Sequence, residues 1–187
     1  MPGSVFRRGE TVELRTVETD DAEFLRDLVN DPQVRAGIAN RLPKNLDDEH
    51  EWVDSLGDDG GANFLVCVDG EAVGTVGLRR RHDPSFGTWS LGYMLAPEFW
   101  GNGYATDAVR ETTAYAFEER RVGKLFATVY ETNPASARVL EKAGFTEEAL
   151  LPGEAFVDGA RVDMRRFGLL REEWDGRRRA TTDGGRT

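Results

Sequence analysis

Polar and apolar residues alternate from Thr11 to Val17, the pattern of a strand with one covered face. Phe24, Leu25 and Leu28 then recur at helical spacing behind Asp20-x-x-Glu23, which reads as a capping box opening a helix through Asn30. Pro32 blocks its extension, and Val34–Lys44 reads as a loop or broken helix. A second helix begins near Asp47 and carries Trp52, Val53 and Leu56. Asn63–Val68 and Glu71–Leu78 flank Asp69-Gly70, a two-residue hairpin signal. After a loop over Arg79–Gly87, Trp89–Leu95 reads as a strand, and a helical pattern runs to about Glu119. Leu125–Tyr130 is strand-like, Asn133–Gly144 reads as a short helix, and a last hairpin turns at Asp158-Gly159. The order β-α-α-β-β-β-α-β-α-β-β predicts one mixed α/β (α+β) domain over residues 1–174. Its central sheet is largely antiparallel and flanked by helices. Residues 175–187 are rich in Arg, Thr and Gly and read as a disordered tail.

Two places in this pattern carry candidate chemistry. Trp100-Gly101-Asn102-Gly103-Tyr104-Ala105-Thr106 lies between a strand and a helix. Glycines there let the main chain approach a ligand closely, and the helix start adds N–H groups and partial positive charge. Such a turn suits a phosphate or pyrophosphate. It lacks the third glycine of a dinucleotide fingerprint, whose place Thr106 takes, and the lysine of a Walker loop. The second place is Asn133-Pro134-Ala135-Ser136 through Gly144-Phe145. Asn133 reads as the N-cap, Pro134 as the first helical residue, and Gly144 as the residue past the end.

Together these motifs resemble the GNAT superfamily of acyl-CoA N-acyltransferases, and within it the ribosomal-protein N-terminal acetyltransferases of RimJ/RimL type. Trp100-x-x-Gly103-x-Ala105 matches the superfamily's pyrophosphate loop, with Trp where Gln or Arg is usual. Asn-x-x-Ser followed by Leu-x-Lys-x-Gly-Phe is the second marker. Leu14-Arg15, Asp21-Ala22, Asn30-Asp31-Pro32, Leu91-Gly92-Tyr93 and Asp158-Gly159 with Asp163 and Leu169-Leu170 extend the likeness over roughly residues 10 to 174.

The resemblance implies acetyl-CoA as cosubstrate and an amine as acceptor, expected to be a protein N-terminal α-amine, with a small-molecule amine such as a polyamine as the alternative. It also implies direct attack, with no covalent acyl-enzyme. The coenzyme is expected at Gly101, Asn102, Gly103, Tyr104, Ala105 and Thr106, with Trp100 in the loop. Main-chain groups of Met94, Leu95 and Ala96 would pair with the pantetheine amides like an added strand. Leu95 N–H is the expected oxyanion donor. Ser136 is the expected catalytic residue, assisting departure of the thiolate; the alternative is a capping hydroxyl. Asn133 would orient pantetheine, cap its helix, or both. Arg138 and Lys142 either reach the phosphates or are solvated helix charges. The general base stays open among Glu98, Glu131, Glu154, Asp163 and a water chain. Tyr93 and Tyr130 read as core or wall, and His50 and His82 as surface histidines. Trp52, Trp89, Phe99 and Trp100 are candidates for the acceptor pocket. A non-catalytic acyl-CoA-binding module is the alternative of another class.

Composition narrows the partners. The formal net charge of −10 argues against non-specific nucleic-acid binding, which needs a cationic surface. Lysines are confined to positions 44, 124 and 142, and with the acidic clusters this suits a high-salt protein or simply a G+C-rich genome. No apolar run approaches the ~18 residues of a membrane span, and Met1–Ser4 lacks the features of a signal peptide. Cys67, in an apolar run, is the sole cysteine and reads as a buried structural thiol. A cytoplasmic monomer or homodimer with no metal site is expected.

Overall fold

The computed structural model describes residues 2–38, 42–80, 87–157 and 159–174. His82, most of the Arg79–Gly87 segment, Asp158 and the 175–187 tail lie outside them. The described residues form one eight-stranded sheet: β1 (Val5–Arg8), β2 (Glu13–Arg15), β3 (Ala62–Val68), β4 (Glu71–Arg80), β5 (Thr88–Leu95), β6 (Lys124–Tyr130), β7 (Thr146–Val157) and β8 (Ala160–Leu170). Its spatial order is β1-β2-β3-β4-β5-β6-β8-β7. Every neighbouring pair is antiparallel except β5–β6. The five helices are α1 (Ala22–Asn30), α2 (Pro32–Gly37), α3 (Leu46–Asp54), α4 (Tyr104–Glu118) and α5 (Pro134–Lys142). The mixed, largely antiparallel fold expected from the sequence is borne out.

Both faces of the sheet are covered, which is why β3 reads as a continuous apolar run rather than an alternating one. Phe64 and Val66 join the large core with Ala108, Val109 and Phe117 of α4 and Leu140 of α5. Leu65 and Cys67 turn to the other face, against Leu25 of α1 and Trp52 and Val53 of α3. Burial pushes the Cys67 thiol up to about 11, so it is an inert packing group. The Asp69-Gly70 hairpin forms as expected, both residues having positive φ (50° and 83°).

The N-terminal region departs from the sequence reading. Residues 5–8 form β1, too short and too rich in arginine to show a periodic signal. The Thr11–Val17 strand shrinks to Glu13–Arg15. Its loop is taken by Asp107 of α4, whose Oδ2 accepts from Thr11 N, Thr11 Oγ1 and Val12 N. The reciprocal cap ahead of α1 is Glu18–Asp21, not Asp20–Glu23: Glu18 N–H donates to Asp21 Oδ2 at 2.8 Å. Of the Val34–Lys44 stretch expected as loop or broken helix, the first four residues belong to a short helix, α2, that starts at Pro32, with Asp31 Oδ1 accepting from Gln33 N and Val34 N.

Candidate active site

The opening in the sheet comes from an incomplete parallel pair. β5 and β6 are in register only over Thr88–Lys124, Trp89–Leu125 and Ser90–Phe126. Beyond these they diverge, and the remaining edges of both strands bound a split. Ala96 N–H donates to Val73 O at 2.9 Å. Because main-chain groups alternate sides along a strand, those of Met94 and Ala96 face β4, while those of Tyr93 and Leu95 face the split. Of the three residues expected to pair with pantetheine, Leu95 is the one so turned.

Two cavities meet at the split. One, of about 490 Å³, is lined by the Trp100–Thr106 loop, Phe99, α2 and the α5 residues Ser136, Arg138 and Lys142. The other, of about 700 Å³, lies over the sheet face beneath α1 and α3 and is lined by Trp52, Asn63, Thr75, Thr128, Tyr130 and Glu49, among others. Gly37, Ile38, Tyr93, Met94 and Ser136 line both. Gly77 and Gly92 face each other in register on the wall of the larger cavity. A Cβ on Gly92 would meet nothing within 4 Å, so the bare backbone there opens space.

The smaller cavity is built for an anion. Gly101 and Gly103 have φ of 82° and 85°, a conformation glycine adopts without strain. Gly103 occupies the N-cap of α4, and no side chain caps that helix. Its leading N–H groups, those of Tyr104, Ala105 and Thr106 included, therefore lack intrahelical partners and point out of the helix end. Asp107, the acidic residue of this first turn, is buried and committed to Thr11 and Val12, so it does not oppose an anion there. Trp100 is half exposed, and its Nε1 donates to Leu95 O at 2.8 Å, fixing the loop to the end of β5. Asn102 Nδ2 donates to Phe99 O and Trp100 O, which closes the turn. Arg138 and Lys142 line the same cavity as the uncapped helix end. A pyrophosphate with its nucleotide fits this donor set.

At the junction, Asn133 Oδ1 accepts from Ser136 N at 3.1 Å and so caps α5. Its Nδ2 lies so near Gly37 that a Cβ on that glycine would meet it at 2.9 Å, so a side chain there would narrow the passage. Ser136 itself is not the cap. Its Oγ lies 2.8 Å from Tyr93 Oη, which also donates to Ser136 O at 2.9 Å. Burial raises the Tyr93 phenol to about 12, against the opposing effect of the Ser136 hydrogen bond, so it stays protonated at any working pH. Tyr93 has one proton and gives it to Ser136 O, so Ser136 Oγ–H is the donor at the 2.8 Å contact and its proton rests on Tyr93 Oη.

The other expectations scatter. Among the described residues, Glu98, Glu131, Glu154 and Asp163 line neither cavity, and Asp163 instead accepts from Gly153 N. Trp89 lies under the Arg120 guanidinium, 5.0 Å from its ring centre, and lines neither cavity. His50 also lies outside both cavities. Tyr93, expected as core or wall, lines both cavities and in addition holds the Ser136 hydroxyl at the junction. Glu49 and α2 carried no sequence signal of a site.

Comparisons with known proteins bear on the family and the fold. A family model described as acetyltransferase (GNAT) domain matches residues 11–146. The chain is 30% identical over 175 residues to the putative ribosomal N-acetyltransferase YdaF of Bacillus subtilis, covering 89% of this chain and 95% of that one. Its fold is similar to that of Mycobacterium smegmatis RimJ in complex with CoA-disulfide (TM-score 0.77, 25% identity, 87% of this chain and 83% of that chain). It is also similar to spermidine N-acetyltransferase from Vibrio cholerae in complex with CoA and spermine (TM-score 0.81, 24% identity, 87% and 97%).

Proposed function

The chain belongs to the GNAT acetyltransferase family, and from that premise we propose that the amine it acetylates is a protein N-terminal α-amine. Its general activity needs no proposal: it is an acetyl-CoA-dependent N-acetyltransferase acting on an amine acceptor. The acceptor class rests above all on the larger cavity. At about 700 Å³, bordered by the free edges of β5 and β6, it has room for the first few residues of an extended chain. The ribosomal relative supports the same reading. So does acid–base chemistry, because an α-amine, with a reference pKa of about 8, loses its proton near neutrality more easily than a lysine side chain at about 10.4.

In this reading Gly101–Thr106 hold the pyrophosphate by main-chain N–H groups, with Trp100 bracing the loop. Leu95 turns its N–H to the split, where it pairs with the pantetheine or serves the acetyl carbonyl oxygen. Met94 and Asn133 form the walls of the passage. The neutral amine attacks the acetyl carbon, the new N–C bond forms, and the C–S bond breaks. Ser136 Oγ–H, positioned by Tyr93 Oη, turns to the leaving sulfur and gives it a proton, and the proton that the nitrogen sheds on becoming an amide returns to Ser136 Oγ. Alignment of the two partners at one junction supplies much of the rate. The activity is assigned to the cytoplasm.

Mass spectrometry of peptides and small amines treated with acetyl-CoA tests the acceptor class. Acetyl groups on free N-termini are expected. Acetyl groups on lysine side chains or small amines alone, with N-termini untouched, would overturn the N-terminal reading and leave the acyltransferase standing.

A further inference from the structure

Glu49 is the unexplained group of the larger cavity. It lies in the first turn of α3 beside Asp47 and Asp48, where negative charge favours the helix dipole. That role needs no burial, and Asp47 meets it in the open. Glu49 instead has 6% of its surface exposed and lines the cavity wall. Among the described residues its carboxylate makes no side-chain hydrogen bond and no ion pair. It is also the sole carboxylate among the described residues that line this cavity. Two cations share the lining, Lys44 and Arg79, half-buried and exposed respectively, and neither closes on Glu49. An ionised carboxylate held this way is largely shielded from bulk water and faces the cavity without a hydrogen bond or ion pair, an arrangement that favours a cation arriving through the cavity.

The position of Glu49 says which charge that is. The nitrogen to be acetylated must come to the residues that line both cavities, Tyr93, Met94 and Ser136 among them. Glu49 lines the larger cavity alone. We propose that Glu49 binds a second positive charge of the acceptor, an ammonium or guanidinium separate from the reacting nitrogen. The acceptor is then held at two points, and the preferred substrates are dicationic: a peptide N-terminus followed closely by Lys or Arg, or a small diamine. Burial raises the Glu49 carboxyl above its usual range, opposed by Lys44 and reinforced by Asp48, so an arriving cation also restores its charge. This inference rests on the acetyltransferase reading of the site and deepens its acceptor side.

Initial-rate kinetics on the full chain with matched acceptors provide the test. The pairs are a peptide with Lys at its second position against the same peptide with norleucine, and 1,4-diaminobutane against butylamine. The native enzyme is expected to prefer the dicationic member of a pair roughly tenfold in kcat/KM. Glu49→Gln removes that preference by raising KM for the dicationic member. Glu49→Asp keeps part of it, and KM for acetyl-CoA is unchanged in both variants, which confirms that they fold. No preference in the native enzyme, or an equal loss on both members of a pair, would overturn the assignment. The N-terminal reading fails separately. Turnover of the diamine alone, dependent on Glu49, refutes that reading and keeps this one. Acetylation of both peptides regardless of Glu49 does the reverse.

Discussion

The two sides of the β5–β6 split are made in different ways. The coenzyme side is built mainly from two short contiguous segments, Trp100–Thr106 and the start of α5, and it offers mostly main-chain groups. The acceptor side collects single side chains from α1, α3, β3, β4, β5, β6 and β8. A pyrophosphate is the same in every reaction of this kind, so a fixed loop serves it. An acceptor differs with the task, and its contacts sit on a helical layer and a sheet face that can change residue by residue without disturbing the loop. Substitutions should therefore sort by side.

The largest effect is expected where the sides meet. Ser136→Ala should lower kcat by about a hundredfold with little change in coenzyme affinity, because the proton it gives matters as the C–S bond breaks. Calorimetry and steady-state kinetics together check this; a loss confined to KM for acetyl-CoA would make Ser136 a binding residue.

Two glycine substitutions then separate the sides. A Cβ on either Gly103 or Gly92 meets no atom within 4 Å, so neither change creates a direct clash. Gly103 has φ of 85°, which a branched residue cannot hold without strain at the helix start. Gly103→Val should weaken coenzyme A binding at least tenfold, ~1.4 kcal/mol, in a folded protein. Gly92 has no such backbone demand and lines the acceptor cavity alone. Gly92→Val should raise the acceptor KM roughly tenfold, ~1.4 kcal/mol, and leave the coenzyme's dissociation constant unchanged. If both variants damage the same binding step, the division of the site into two sides is wrong.

The smallest effect concerns stability. Burial holds the Glu49 carboxyl above its ordinary value of 4.5 in the folded chain. Folding thus favours the protonated form. Stability falls as pH rises from about that ordinary value through the raised one, and the penalty is complete above it. Gln does not titrate. Glu49→Gln should therefore melt above the native protein at pH 7, with the gap closing in acid. A gap that persists or widens in acid would mean that Glu49 is not held against its charge.

The same contrast explains what could be read in the sequence. The glycine turn and the Asn133-x-x-Ser136 helix start are local: their spacing is set by dihedrals and capping within a few residues, so the pattern is visible in the chain. The order of elements along the chain from β3 onward was legible for the same reason, through the Asp69-Gly70 turn and the apolar runs. Glu49 was not, because its first-turn position looks like ordinary dipole chemistry and its burial is decided by helices packed over the sheet. The contact of Tyr93 with Ser136 was not legible, because the two residues stand 43 positions apart. α2 stayed open between loop and broken helix because a six-residue helix behind Asp31-Pro32 has too few turns for a periodic signal. β1 is held by β2 and by Phe6, which stacks on Phe64 with ring centres 5.1 Å apart, a contact between distant segments.

The central claim is that one junction, at Tyr93, Met94 and Ser136, joins a coenzyme side to an acceptor side. A crystal structure of the full chain with coenzyme A tests it most directly. The pyrophosphate should accept hydrogen bonds from main-chain N–H groups of Gly101–Thr106, and the thiol should lie within hydrogen-bond reach of Ser136 Oγ, with the larger cavity left free. A pyrophosphate held elsewhere, or a thiol ending away from Ser136, would contradict the account.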